Sequence, residues 1–129
     1  MKNRLTISFE GDHVLVLAEG DKDMEFAESL WLQAASLCEQ NNCFNVLGVS
    51  RSSKTLEALD AYEYARLYRR LGIDERYRIA WVELEPHAVD IAAFIDTVLS
   101  DRGFKDRTFS NEKEAREWLL HTGSASDTS

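Results

Sequence analysis

Leu5, Ile7 and Phe9 alternate with Thr6, Ser8 and Glu10 near the start of the chain. A period of two predicts a strand with one wet face, because successive strand side chains point to opposite sides. Gly11-Asp12 then predicts a tight turn into Val14-Leu15-Val16-Leu17-Ala18. That second run is apolar throughout, which places it inside a sheet. Together the two runs predict a β-hairpin.

The period then lengthens. Phe26, Ala27, Leu30, Ala34, Leu37 and Cys38 recur at helical spacing and predict a helix from Asp23 to Asn41. Asn45 to Val49 predicts the next strand, and a polar loop separates it from a second helix, Leu56 to Leu71. Gly72-Ile73 should end that helix, since glycine accepts a left-handed backbone and the following apolar residue packs back. Arg66, Arg69 and Arg70 suit the negative end of its dipole.

Arg78 to Leu84 predicts a further strand centred on Ile79-Ala80-Trp81-Val82. Pro86 opens a third helix at the position where proline is tolerated. That helix runs to Arg102 and meets a second glycine cap at Gly103-Phe104. Arg107-Thr108-Phe109 predicts a short last strand, and Asn111 with Glu114 forms a capping box for a final helix. The order ββαβαβαβα predicts a single α/β domain with a mixed five-stranded sheet and flanking helices, over residues 1–121. The polar stretch 122–129 is expected to be a disordered tail.

Composition narrows the class. With 129 residues, 44% of them hydrophobic, the chain can bury a real core. A net charge of −8 argues against nonspecific nucleic-acid binding, which needs a basic surface. It also disfavours simple electrostatic attachment to anionic membranes. The opening MKNRLTISFEGD lacks the apolar centre of a signal peptide. Cys38 and Cys43 are too few for a disulfide scaffold, and Cys38 falls on an apolar helix face. The cytoplasm is the expected location.

Few residues carry chemistry. Gly48 to Thr55, GVSRSSKT, is one residue from the phosphate-loop pattern G-x-x-x-x-G-K-[ST], with Ser53 in place of the second glycine. A serine Cβ hinders close phosphate approach. The plainer reading is a polar loop in which Ser53 or Thr55 caps the second helix. Glu83, Glu85 and His87 alternate as metal ligands or an acid–base group would, but Pro86 interrupts them. Trp31, Trp81 and Trp118 read as core or core-edge residues. No nucleophile–base pattern and no cofactor signature stands out, so a non-enzyme is expected. The alternative is a nucleotide-binding protein or enzyme using the GVSRSSKT loop.

The second and third helices carry more apolar side chains than one sheet face needs. Leu56, Ala61, Tyr64, Ala65, Leu67, Tyr68 and Leu71 span about half of the second helix. On the third, Ile91, Phe94, Ile95, Val98 and Leu99 form a broad stripe. Close packing of the two helices accounts for such a surplus; a shared groove or self-association surface is the functional reading. In that second case some of Tyr64, Tyr68, Ile91 and Phe94 should stand partly exposed.

Several segments carry a resemblance: ISFEGDHVLVLAEGD at Ile7 to Asp21, NVLGVS at Asn45 to Ser50, LDAYEYARLYRRLG at Leu59 to Gly72, and FSNEKEAREWL at Phe109 to Leu119. With the element order, they resemble the STAS domain family, in its SpoIIAA-like branch of small bacterial STAS/Sec14-type proteins. The resemblance implies regulation or binding, by a partner kinase or by an apolar, lipid-like ligand. The family's switching serine lies in a D-S-x-G-like motif opening the second helix. Thr55-Leu56-Glu57-Ala58 stands there instead, so no phosphoserine carries over. The expected binding residues are Ser50, Ser52, Ser53 and Thr55, at the carboxyl ends of the strands where ligands settle in open α/β sheets, with Tyr64, Tyr68, Ile91 and Phe94. A homodimer and peripheral membrane association are further forms such binding could take.

Overall fold

In the computed structural model, residues 3–54 and 56–121 are described. The elements run β1 (Arg4–Phe9), β2 (Val14–Asp21), α1 (Met24–Asn41), β3 (Asn45–Lys54), α2 (Asp60–Arg70), β4 (Arg78–Glu83), α3 (Pro86–Asp101), β5 (Lys105–Phe109) and α4 (Glu112–Arg116). A π-helical turn, Glu117–His121, continues α4. The expected tail, 122–129, lies outside the described residues.

The five strands lie in chain order across one sheet. β1 is antiparallel to β2, and every later pair is parallel. Each parallel step moves one place in the same direction. Right-handed crossovers therefore put α1, α2 and α3 on the same face. Their core includes Leu30, Trp31, Ala34, Leu67, Tyr68 and Leu99, packed on Val14, Val16, Val46 and Ile79. The opposite face is covered by α4 and its π-helical extension, through Ala115 and Leu119 on Leu47, Ala80 and Val82.

The helix ends follow local chemistry. Asp23 caps α1 by accepting from the Phe26 amide at 2.8 Å, and Asn111 caps α4 by accepting from the Glu114 amide at 2.9 Å. α2 and α3 both end in Schellman geometry. The Ile73 amide donates to the Tyr68 carbonyl at 2.9 Å, and the Phe104 amide to the Leu99 carbonyl at 3.1 Å. Gly72 and Gly103 supply the positive φ these turns require.

Two expectations fail between residues 50 and 60. β3 does not stop at Val49; it continues to Lys54, paired with β2 through Ala18↔Ser50, Gly20↔Ser52 and, past a register shift, Asp21↔Lys54. GVSRSSK is thus strand. Its extended backbone commits amides to the ladder and cannot curl into a phosphate cradle. α2 begins at Asp60 rather than Leu56, with Leu59 at its N-cap and no side-chain cap. Ser53 lies within β3 and so does not cap α2, and Thr55 lies outside the described residues. At the start of α2 the Asp60 carboxylate accepts from the Glu57 amide at 2.9 Å.

Gly48 has a packing role. It pairs with Trp81 across β3 and β4. A Cβ built at Gly48 would overlap the Trp81 ring. Gly48→Ala should therefore lower stability by about 1–3 kcal/mol, the usual cost of overpacking. Urea unfolding checks this; a loss below about 0.5 kcal/mol, ordinary for a surface change, would mean the ring does not rest on this glycine.

Candidate functional site

Side chains on the three-helix face of the sheet alternate along each strand. On β3 that series is Val46, Gly48, Ser50 and Ser52; on β4 it is Ile79, Trp81 and Glu83. Apolar residues fill the amino half of both series and polar ones the carboxyl half. The sheet's helix-covered face thus ends in a polar cluster at the carboxyl edge.

Glu83 is its centre. The residue is 2% exposed. Its carboxylate accepts from Ser52 Oγ at 2.8 Å, the Ser52 amide at 3.2 Å and the Glu85 amide at 3.1 Å. Lys22 Nζ, just beyond β2, stands 3.7 Å away. The same ammonium lies 4.6 Å from the centre of the Trp81 ring. Burial pulls the Lys22 ammonium down to about 8, against the opposing pull of Glu83. Ser50 is buried too, 3.2 Å from Ser52 through their hydroxyls.

Next to this cluster, under α2 and α3, lies a cavity of about 50 Å³. Trp31, Trp81, Tyr64 and Tyr68 form its aromatic walls, with Ile91 and Ile95 from α3. Trp31 Nε1 donates to the Tyr64 hydroxyl at 2.8 Å, and the Tyr68 hydroxyl donates to Asp106 Oδ2 at 2.7 Å. Asp106 Oδ1 is buried without a hydrogen-bond partner. Burial, with the Asp96 charge, pushes the Asp106 carboxyl up to about 7, although the Tyr68 hydrogen bond opposes this. Asp96, on α3, accepts from the Thr108 amide at 3.0 Å and from Ser100 Oγ at 3.2 Å.

The expected binding residues divide accordingly. Ser50 and Ser52 are buried in the polar cluster, and Ser53 is exposed on β3. Tyr64 and Tyr68 are not surface residues: they turn inward and line the cavity. Ile91 is partly buried at the cavity and Phe94 is 38% exposed. Most of the apolar surplus on α2 and α3 is spent on close packing. Lys22, Asp96 and Asp106 were missed, because nothing local marks a charged residue that tertiary contacts will bury. The proposed acid–base or metal group disperses: Glu83 points inward, Glu85 pairs with Arg51 at 2.9 Å, and His87 is exposed. Among the described residues no cluster of three His, Cys, Asp or Glu is arranged to hold a metal. Cys38 is buried, and burial pushes its thiol up to about 12, which makes it a poor nucleophile.

Two predictions follow from these charges. Glu83→Ala leaves the Lys22 ammonium and the Ser52 and Glu85 amides without their carboxylate, so it should cost about 3–5 kcal/mol, whereas the double change of Lys22 and Glu83 to Met should recover the part owed to the unpaired ammonium. Denaturant melts of the wild type and the two variants measure it; equal losses in the single and double variants would refute the coupling. The second concerns pH. Asp106 is raised in the folded state, so the native protein holds an extra proton between about pH 4 and 7. Its stabilisation is complete below about 4 and is lost as pH climbs to 7, a fall of roughly 4 kcal/mol at most by linkage at 1.36 kcal/mol per pKa unit. Asp106→Asn should flatten that slope; an unchanged slope would assign it to other groups.

No family model and no curated protein matches the sequence. Solved structures do match. The chain is similar to an anti-sigma factor antagonist from Mycobacterium paratuberculosis, at 13% identity over 92% of this chain and 94% of that one, with a TM-score of 0.61. It is also similar to an uncharacterised protein with a SpoIIAA-like fold from Shewanella loihica, at 14% identity, the same two coverages and a TM-score of 0.55. Such low identities speak for architecture alone, and the architecture is a single α/β domain with a SpoIIAA-like fold.

Proposed function

We propose that this chain is a regulatory domain that works by binding a partner protein, not by catalysis. The observation that carries the reading is the outer seam of α2 and α3. Phe94 on α3 and Arg102 at the C-cap of that helix are eight residues apart, which brings them near the same side of it. The Arg102 guanidinium sits 5.2 Å from the Tyr62 ring of α2. Phe94 and Tyr62 are 38% and 44% exposed. Leu59, ahead of α2, is 81% exposed. Tyrosine and arginine, here Tyr62 and Arg102, are among the residue types enriched in binding hot spots.

The anti-sigma factor antagonist that shares this architecture supports the same class, since its work is the engagement of another protein. The strand conformation of GVSRSSK supports partner binding over the nucleotide alternative. Ile91 lines the cavity and Ser53 is exposed on β3, so neither is counted in this seam. The cytoplasm fits this work, and no helix among the described residues is long and apolar enough to cross a membrane.

The test is Phe94→Asp together with Tyr62→Asp. Both side chains are exposed, so each change should shift stability by no more than about 0.5 kcal/mol. Circular dichroism checks the fold. Crosslinking in the producing cell, followed by mass spectrometry, should place a partner or a second copy on the α2–α3 seam of the wild type and lose it in both variants. Unchanged crosslinks in folded variants would move the interface elsewhere, and unfolding of Phe94→Asp would make that residue core.

A further inference from the structure

The two margins of the sheet are built differently. At β5, Lys105 and Arg107 stand exposed, and charged side chains on an edge strand deter further pairing. β1, the other margin, has Arg4 as its one charge in six residues, with no proline and no register shift against β2. The Glu10 amide donates to the His13 carbonyl at 2.8 Å. Antiparallel ladders alternate, so Ser8, Thr6 and Arg4 also bond to β2, and Leu5, Ile7 and Phe9 direct their amides and carbonyls away from it. Among the described residues no strand pairs with that outer row. Beside it runs a groove between β1 and α1, lined by Ile7, Leu37, Gln33, Ser36 and Gln40, none of them charged. Two exposed acids of α1 are engaged elsewhere: Glu28 by Arg70 at 2.9 Å and Glu39 by Arg76 at 3.0 Å.

We propose that β1 is an interface for a second copy of this chain, paired antiparallel across a two-fold axis at Ile7. The register follows from the outward groups. They centre on Ile7, so a two-fold pairing that engages all of them sets Ile7 against Ile7 and Leu5 against Phe9. On the three-helix face this pairing covers Phe9, which is 36% exposed, with Leu5 of the other copy. On the opposite face it sets Arg4 of each copy against Glu10 of the other, and both residues are exposed. A chain of net charge −8 repels its own copy over most approaches. At this margin the groove is neutral and opposite charges meet twice, which is why a second copy fits it. The surface is separate from the α2–α3 seam proposed above, because α3 packs on β4 and β5, toward the other margin. Either reading can therefore fail without the other.

The experiment combines sedimentation equilibrium with amide hydrogen exchange on the full chain. The chain should pass from monomer to dimer as its concentration rises into the millimolar range. In step with that change, the Leu5, Ile7 and Phe9 amides should gain protection. The Thr6 and Ser8 amides, bonded to β2 within each copy, should be protected at every concentration. Arg4→Glu and Glu10→Lys each set like charges opposite one another, so each should weaken dimerisation roughly tenfold, two cross-strand charge pairs having turned repulsive. The two changes combined should restore it. Phe9→Lys should block pairing, as lysine does on natural edge strands. All three positions are exposed, and circular dichroism checks the fold. Phe94→Asp and Tyr62→Asp should leave the dimer unchanged. A chain that stays monomeric at millimolar concentration would overturn the proposal. So would a dimer whose Leu5, Ile7 and Phe9 amides gain no protection. A dimer lost in Phe94→Asp but kept in Arg4→Glu would overturn it as well, by placing the second copy on the α2–α3 seam.

Discussion

Glu83 closes the carboxyl edge of the sheet. β3 outruns β4: the ladder between them ends at Ser50↔Glu83, while β3 continues to Lys54 beside β2. Past that point the β4 side of β3 has no ladder partner among the described residues. The Glu83 carboxylate takes the place of one by accepting the Ser52 amide and hydroxyl, and it also receives the amide of Glu85 at the N-cap of α3. A single side chain thus ties the extension of β3 to the start of the next helix. Lys22 brings the end of β2 to the same carboxylate. A buried carboxylate is costly to desolvate and is tolerated where such donors converge on it. The position of Lys22, and with it one wall of the cavity, depends on that convergence.

Much of the architecture was legible because it rests on local rules. Period-two alternation at Leu5, Ile7 and Phe9, helical spacing at Phe26, Leu30, Ala34 and Leu37, and the glycine stops at Gly72 and Gly103 all act within a few residues of themselves. The stretch from Ser50 to Asp60 was misread for a physical reason. Ser50, Arg51, Ser52, Ser53 and Lys54 show no apolar alternation, because the helix-facing positions there are filled by Ser52, bonded to Glu83, and Ser50, bonded to Ser52, rather than by core hydrocarbon. A strand stabilised by a polar partner thirty residues away looks like a loop in the sequence. The site escaped notice for the same reason. Lys22, Asp96 and Asp106 look like ordinary surface charges until Trp81, Tyr68 and α3 close over them.

The α2–α3 layer serves two surfaces with one set of residues. Tyr64, Leu67 and Tyr68 turn toward the sheet, and Tyr62 with Arg102 turns to solvent. The aromatic contacts beneath the layer are edge-on: Tyr68 meets Trp31 and Phe104 with ring centres 5.1 Å apart, and Tyr64 at 5.7 Å. Such contacts fix ring orientation as well as fill volume. They hold the Tyr68 hydroxyl on Asp106 at the edge of the cavity. Polar geometry inside and apolar geometry outside are therefore set by the same few turns of helix.

The strand order has a consequence for how the chain is made. Each strand pairs with its immediate predecessor in sequence, so the sheet can grow at one margin as residues leave the ribosome. Closing contacts over short stretches of chain carries a smaller entropy cost than assembling a sheet from distant segments. Every nascent intermediate then exposes one unfinished margin, which the following β-α unit covers. The last margin belongs to β5, where Lys105 and Arg107 stand exposed. Charged side chains on a terminal strand deter further strand addition. Vectorial growth of this sheet accordingly stops at a strand that repels its own continuation.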